Sequence, residues 1–131
     1  MKPVPVQPHE VDLWLSRIGW HLESCCRGGD TTPERLIAEV KATERQMWLV
    51  VSDEVECLLL TNIGNDDLKT CRMTHCAGNN FEAWLPLFSL VEGWARDLGC
   101  KRIEAITRPG WERPLQQFEL KKTHVVLEKR L

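Results

Sequence analysis

Residues 75–88, HCAGNNFEAWLPLF, hold the side chains of greatest chemical interest in this 131-residue chain. A predicted strand ends at His75 and Cys76, and an apolar helix is under way by Phe88. A strand-to-helix junction presents backbone N–H groups and the positive end of a helix dipole, which suits a phosphate. A histidine at the same place is a proton acceptor near neutral pH. The junction therefore predicts either a phosphate cradle with a base beside it, or a helix start capped by its own side chains.

Composition and the remaining motifs narrow the class of protein. The formal charge is −2, from 17 basic and 19 acidic residues, so no basic excess favours nucleic acid or an anionic membrane. No apolar stretch approaches the ~20 residues of a membrane span, and the start, MKPVPVQP, is not a signal peptide. P-loop, dinucleotide and G-x-S-x-G motifs are absent. We expect one cytoplasmic domain over residues 1–131, with no nucleic-acid or membrane partner.

Cysteine and aromatic usage is unusual. The chain has six cysteines, but Cys25 and Cys26 are adjacent, Cys71 and Cys76 are five apart, and no C-x-x-C occurs. This spacing does not match a zinc site, and a cytosolic chain keeps thiols reduced. We expect free thiols and no metal. The six tryptophans predict large anchors in a core or an interface, and the chain contains no tyrosine.

Hydrophobic periodicity predicts the elements that position the junction. Valines between prolines in residues 1–7 indicate an edge strand or an extended arm. Helical spacing from Val11 to Cys25 indicates a first helix, and a second opens at residues 31–33, where Thr31 and Glu34 are placed for a capping box. The pattern then predicts three strands, a long helix, a strand, a short helix and a closing strand: Met47–Val51, Val55–Thr61, Leu68–Cys76, 81–98, Arg102–Thr107, Gly110–Phe118 and Lys121–Lys129.

This order, β-α-α-β-β-β-α-β-α-β, indicates an α/β fold. The connections between the three central strands are short, which implies an antiparallel meander. The helix over 81–98 joins the third of these strands to Arg102–Thr107, as in a parallel crossover. We therefore predict a mixed sheet: an antiparallel meander followed by a parallel crossover.

The C-terminal third resembles a known family. Residues 94–131, WARDLGCKRIEAITRPGWERPLQQFELKKTHVVLEKRL, resemble the second half of the GNAT acetyltransferase superfamily: a helix ending in L-G, a strand, a short helix and a closing strand ending in L-E-K-x-L. The segment is also similar to the C-terminal parts of small GNAT-like proteins encoded by bacteriophages. The resemblance implies a GNAT-like fold for nearly the whole chain.

The resemblance also locates a cofactor loop. GNAT enzymes hold the pyrophosphate of acetyl-CoA on a glycine-rich loop, R/Q-x-x-G-x-G/A, after the fourth strand, and here that loop falls on residues 79–84, NNFEAW. The loop has no glycine, Glu82 sets a carboxylate beside the anion, and Pro86 lacks an N–H. We expect a degenerate loop without a cofactor, in which Asn79 and Glu82 form a capping box. The residues at the cofactor position are Gly78, Asn79, Asn80 and Trp84.

The resemblance supplies the remaining site residues. Many GNAT enzymes protonate the departing CoA thiolate with a tyrosine, whose position falls near Leu115 in this tyrosine-free chain. His75 lies where the sheet of this fold opens, and is the one candidate base. Arg108 and Trp111 lie at the mouth of the same cleft and are candidates to hold an anion or an aromatic ligand.

Two functions fit these residues. The first is a non-catalytic GNAT-like domain that acts through a protein partner or self-association, as a bacteriophage accessory or virion component. The second is an active N-acyltransferase that binds acetyl-CoA in a divergent loop. It would use His75 as base, with water or a backbone group on the acid side.

Overall fold

A five-stranded mixed sheet lies between helices on both of its faces. The computed structural model describes residues 1–78, 80–107 and 109–131. The elements are β1 (Lys2–Val6), α1 (Val11–Cys26), α2 (Pro33–Lys41), β2 (Gln46–Val51), β3 (Val55–Asn65), β4 (Lys69–Gly78), α3 (Trp84–Asp97), β5 (Arg102–Ala105) and α4 (Glu112–Leu115). Strands β1 to β5 lie in sequence order, and only β4 and β5 pair in parallel. This confirms the predicted α/β class, with its meander and parallel crossover.

The sheet is buried on both faces, which explains its continuous apolar runs. In β2, Met47 and Leu49 join the core beneath α1 and α2, whereas Trp48 and Val50 join the core beneath α3. The residues of β3 alternate between the same two cores. Because both sides of each central strand lose contact with water, every position there favours an apolar side chain.

Helix α2 begins one residue later than a capping box at Thr31 and Glu34 would require. The hydroxyl of Thr32 accepts a hydrogen bond from the backbone N–H of Arg35 at 3.2 Å. Pro33 occupies the first helical position, so the residue immediately before it becomes the cap.

Strand β3 is longer than predicted. It continues past Thr61 to Asn65, because Gly64 and Asn65 pair with Thr70 and Lys69. The turn therefore lies at residues 66–68. Polar residues at this end of the hairpin interrupt the apolar alternation, so the alternation does not predict this part of β3.

The predicted closing strand Lys121–Lys129 does not form. Residues 121–131 are irregular and exposed, and Arg130 donates a hydrogen bond to Asp30 at 2.8 Å. Valines and threonine give this segment a local preference for strand, but a strand needs a neighbour to take its backbone hydrogen bonds. Within the described residues β5 pairs with β4 alone.

An extra residue in β4 changes which way the strand faces. Leu60 pairs with His75 and Thr61 pairs with Met73, so Thr74 has no residue opposite it. Such a β-bulge shifts the alternation of side chains by one position. Met73 lies in the core beneath α3, whereas the bulge brings His75 level with Leu60, on the side of α1 and α2.

Two further features concern the chain as a whole. All six cysteines carry free thiols, and no group of three or more metal-ligating side chains converges in the parts of the chain the structure describes. Across those same parts, every helix is too short or too polar to cross a bilayer.

Gly78 sets the close approach of β4 to β3, which predicts a measurable cost for adding a side chain. A Cβ at Gly78 would lie 2.5 Å from the Cβ of Cys57 and 2.9 Å from the carbonyl oxygen of Glu56. We expect Gly78→Ala to lower the free energy of unfolding by about 1–3 kcal/mol in urea denaturation. Gly93→Ala is the matched control, because a Cβ at that exposed α3 position meets nothing within 4 Å.

The control substitution should raise the free energy of unfolding by roughly 0.5–1 kcal/mol, as for glycine replaced in an open helix. Equal effects of the two substitutions would contradict the close approach at Gly78.

Candidate functional site

The sheet opens beside the C-terminal half of β4. Strand β5 pairs with β4 only from Thr70 to Met73. From His75 to Gly78, β4 continues its pairing with β3. The two parallel strands therefore diverge and leave a cleft of about 380 Å³ between them. Openings of this kind in α/β sheets are common ligand sites.

The cleft brings most of the predicted site residues together. His75, Gly78, Trp84 and Trp111 all line it, whereas Asn80 is not among its lining residues. Asn79 and Arg108 lie outside the described residues. Helix α1 and the chain after β5 supply walls that the sequence did not indicate: Trp20, Ser24, Cys25, Ala105, Ile106 and Thr107.

An aromatic cluster forms the apolar wall of the cleft. Trp84 is 2% exposed and stacks on Phe88, with ring centroids 5.8 Å apart. Trp111 meets Trp84 edge-on at 5.8 Å, and Phe118 lies 4.5 Å from Phe88. Trp84 is therefore part of the core beneath α3 as well as part of the cleft wall.

A 3-10 turn, Phe81–Ala83, leads into α3, and its first N–H groups are capped by the chain itself. The side-chain oxygen of Asn80 accepts the backbone N–H of Glu82 at 3.1 Å, and the Asn80 carbonyl oxygen accepts the N–H of Ala83 at 3.1 Å. Pro86 has no N–H to offer. The side-chain amide of Asn80 also contacts the sulfur of Met1 at 3.6 Å. The N–H groups of Glu82 and Ala83 are thus engaged within the chain, whereas α3 itself has no side-chain cap.

The observed cap differs in residue from the predicted one. The capping box was expected between Asn79 and Glu82, and Asn79 is outside the described residues. Asn80 is the residue whose side chain satisfies the Glu82 N–H. The capping box between Asn79 and Glu82 stays a prediction.

The described residues that line the cleft include no carboxylic acid. Leu115, the position expected for a family acid, is buried in the cleft wall, and its hydrocarbon side chain has no proton to donate. Burial, with Cys76 and Cys26 nearby, raises the pKa of Cys25 to about 12. Cys25 is consequently a protonated thiol at neutral pH and not an activated nucleophile.

His75 belongs to a hydrogen-bonded network. Its Nδ1 lies 3.0 Å from the hydroxyl oxygen of Thr74, which also accepts a hydrogen bond from Nη1 of Arg45 at 2.7 Å. The Nε of Arg45 donates to Glu39 at 2.6 Å. Alternation along β4 places Thr74 on the side of α1 and α2, and the bulge brings His75 to the same side. No local sequence signal indicates the bulge.

Burial and charge keep the imidazole of His75 neutral. Desolvation lowers its pKa below the ordinary value of 6.5, the positive charge of Arg45 lowers it further, and Glu39 partly opposes both. The side chain is therefore an uncharged proton acceptor at neutral pH.

A second cavity meets the cleft at His75. This cavity, of about 450 Å³, is polar, and it shares His75 and Cys25 with the cleft. Charged side chains from α2 and the neighbouring loops line it: Asp30, Arg35, Glu39, Glu44 and Arg45. The histidine thus stands at the junction of an aromatic cavity and a charged one.

The fold is that of the GNAT acetyltransferases. A probable acetyltransferase matches with a TM-score of 0.71 at 13% identity, covering 100% of this chain and 96% of the other. The ribosomal-protein-alanine N-acetyltransferase of Brucella melitensis biovar Abortus matches with a TM-score of 0.72 at 6% identity, covering 100% of both chains.

A third similar structure is the aminoglycoside antibiotic 6'-N-acetyltransferase of Acinetobacter baumannii. Its TM-score is 0.70 at 14% identity, covering 99% of this chain and 97% of the other. No family model and no curated protein sequence matches the chain. At these identities the similarity establishes the fold alone.

The charge beside His75 predicts how its pKa responds to mutation. Arg45→Gln removes a positive charge that disfavours the imidazolium, so the pKa of His75 should rise in an NMR titration. Arg35→Gln is the matched control, because Arg35 also pairs with Glu39, at 3.3 Å, but does not contact Thr74. We expect Arg35→Gln to shift the pKa of His75 less than Arg45→Gln.

Stability should follow the same titration. Because the folded-state pKa of His75 is lowered, its contribution to the free energy of unfolding is complete above pH 6.5 and is lost as the pH falls from 6.5 through the lowered folded-state pKa. Wild-type Tm should therefore fall on acidification, and Arg45→Gln should flatten that fall. A pKa of His75 above 6.5 in the wild type would contradict this account.

Proposed function

We propose that this protein is a GNAT-like binding domain that does not transfer acyl groups from acetyl-CoA. In this proposal it acts by holding an extended segment of a protein partner in the cleft between β4 and β5. The observation that carries the proposal is the capped turn that leads into α3, where the oxygens of Asn80 accept the N–H groups of Glu82 and Ala83.

The pyrophosphate of CoA needs hydrogen-bond donors at its binding site. An anion at a helix start needs free backbone N–H groups and no nearby carboxylate. Here two N–H groups are engaged, and Glu82 is exposed at the same place. Each lost hydrogen bond to a charged group costs about 1.5–3 kcal/mol. Two such losses weaken binding by roughly two to four powers of ten.

The pairing pattern of β4 supports an extended occupant. In the described part of the sheet, β5 pairs with β4 only from Thr70 to Met73, and peptides commonly add to strand edges through backbone hydrogen bonds. The rim is apolar: Trp20 is 47% exposed and Ile106 is 75% exposed. Exposed tryptophan and aliphatic side chains around a groove are typical of protein interfaces.

The biological setting in this proposal rests on sequence. The C-terminal segment is similar to small GNAT-like proteins of bacteriophages, which supports a role as a phage accessory or virion component. A partner from the phage or its host is consistent with that setting.

The alternative function is acyl transfer from acetyl-CoA with His75 as general base. One observation favours it: a neutral histidine stands where two cavities meet. In this alternative the cleft takes the acyl donor, the charged cavity takes the acceptor, and His75 removes the acceptor's proton.

Calorimetry with CoA separates the two functions. We expect no measurable heat on titrating CoA into wild-type protein, and no rise in Tm at 1 mM CoA. If 1 mM were 100 times the Kd, the protein would gain about 2.7 kcal/mol of stability. Micromolar affinity would overturn the proposal and support acyl transfer.

A double variant tests whether the engaged N–H groups and the carboxylate of Glu82 prevent CoA binding. Asn80→Gly with Glu82→Gly frees the capped N–H and removes the carboxylate, so CoA binding should become detectable. Trp84 stays in place, because it is 2% exposed and its loss would open the core.

Photo-crosslinking tests the partner surface. A benzophenone amino acid at Ile106, on the cleft rim, should give a discrete adduct in phage-infected host cells, because a docked segment would pass over that position. The matched control is Leu98, which is also exposed but lies at the other end of β4, where its carbonyl oxygen accepts a hydrogen bond from Lys69. Adducts of equal yield at both positions would argue against docking in the cleft.

A further inference from the structure

The hydroxyl of Thr74 has three polar neighbours. Arg45 Nη1 lies at 2.7 Å, the carbonyl oxygen of Leu60 at 3.2 Å, and Nδ1 of His75 at 3.0 Å. All three distances are within hydrogen-bonding range. A threonine hydroxyl has one proton to donate and two lone pairs that accept.

Counting protons assigns the direction of each bond. Arg45 only donates, so it uses one lone pair of the Thr74 oxygen. The carbonyl oxygen of Leu60 only accepts, so it takes the hydroxyl proton. The remaining lone pair of Thr74 can be satisfied only by a proton on Nδ1 of His75. The opposite tautomer would leave Thr74 and Leu60 as two oxygens in contact with no proton between them.

The network is anchored on its far side. Glu39 accepts from Nε of Arg45 at 2.6 Å, and the two side chains are only 20% and 17% exposed. Arg35 also contacts Glu39, at 3.3 Å. Because Glu39 is itself held by Arg35, its ion pair with Nε of Arg45 fixes the guanidinium and keeps Nη1 directed at Thr74.

The other ring nitrogen of His75 is open. In the described parts of the chain Nε2 makes no hydrogen bond, and it is not among the fully buried polar atoms that lack a partner. The ring lines both the aromatic cleft and the charged cavity. A lone pair on Nε2 is therefore reachable by a ligand in these cavities.

We propose that Glu39, Arg45 and Thr74 are positioning residues that hold His75 as the Nδ1–H tautomer, with the Nε2 lone pair presented where the two cavities meet. The ligand group that fits this position carries an N–H or O–H donor, such as an amine, an amide or a hydroxyl. The inference goes beyond the proposed function: such a donor is equally present on a peptide segment and on an acyl acceptor.

NMR of ¹⁵N-labelled protein tests the tautomer directly. Long-range ¹H–¹⁵N correlations at pH 7.5 report which ring nitrogen of His75 carries the proton, and a His75→Gln sample assigns the signals. We expect wild-type protein to show the proton on Nδ1. The buried His21, whose Nδ1 has no partner, is an internal reference and should show its proton on the other nitrogen.

Variants at Thr74 test positioning. Thr74→Val keeps the shape but removes the hydroxyl, so the Nδ1–H signals of His75 should give way to the Nε2–H form or to a mixture, with His21 unchanged. Thr74→Ser retains the hydroxyl and should restore the wild-type pattern. Wild-type His75 protonated on Nε2 would overturn the inference, and so would an unchanged tautomer in Thr74→Val. The wild-type spectrum decides the tautomer even if Thr74→Val does not fold.

Discussion

The extra residue at Thr74 is the constraint from which the site follows. In an uninterrupted strand, the alternation that puts Cys71 and Met73 in the core beneath α3 would put His75 there too. The bulge turns the strand by one position, so that His75 faces α1 and α2. Pairing with β5 ends at the same place, at Met73. The bulge therefore lies where the sheet opens, and it places the side chain of His75 in that opening.

The turn that leads into α3 meets part of its polar requirement from within the chain. A helix start has unsatisfied N–H groups, which an anion or the chain's own oxygens can accept. In this protein the oxygens of Asn80 accept the N–H groups of Glu82 and Ala83. Those two groups therefore need no ligand to be satisfied.

The surroundings of His75 shift its pKa in opposite directions. The aromatic wall removes water and disfavours a charged imidazole, whereas the carboxylate of Glu39 favours it. Arg45 pairs with Glu39, and its positive charge lowers the pKa of His75. The histidine stays neutral because burial and the guanidinium together outweigh the carboxylate. A neutral ring is useful to any ligand that brings a proton donor.

The sequence by itself determined the elements that depend on local pattern. Strands β2 and β3 and helix α3 could be predicted from their apolar residues. A sheet buried on both faces requires such residues on its strands and on the helix that covers it. The tertiary structure decided what depends on partners distant in the chain. It left residues 121–131 without a strand neighbour, and it brought Glu39, Arg45 and Thr74 to His75. Hydrogen bonds between separate segments leave no periodic signal, because each requires a register that only the packed sheet supplies.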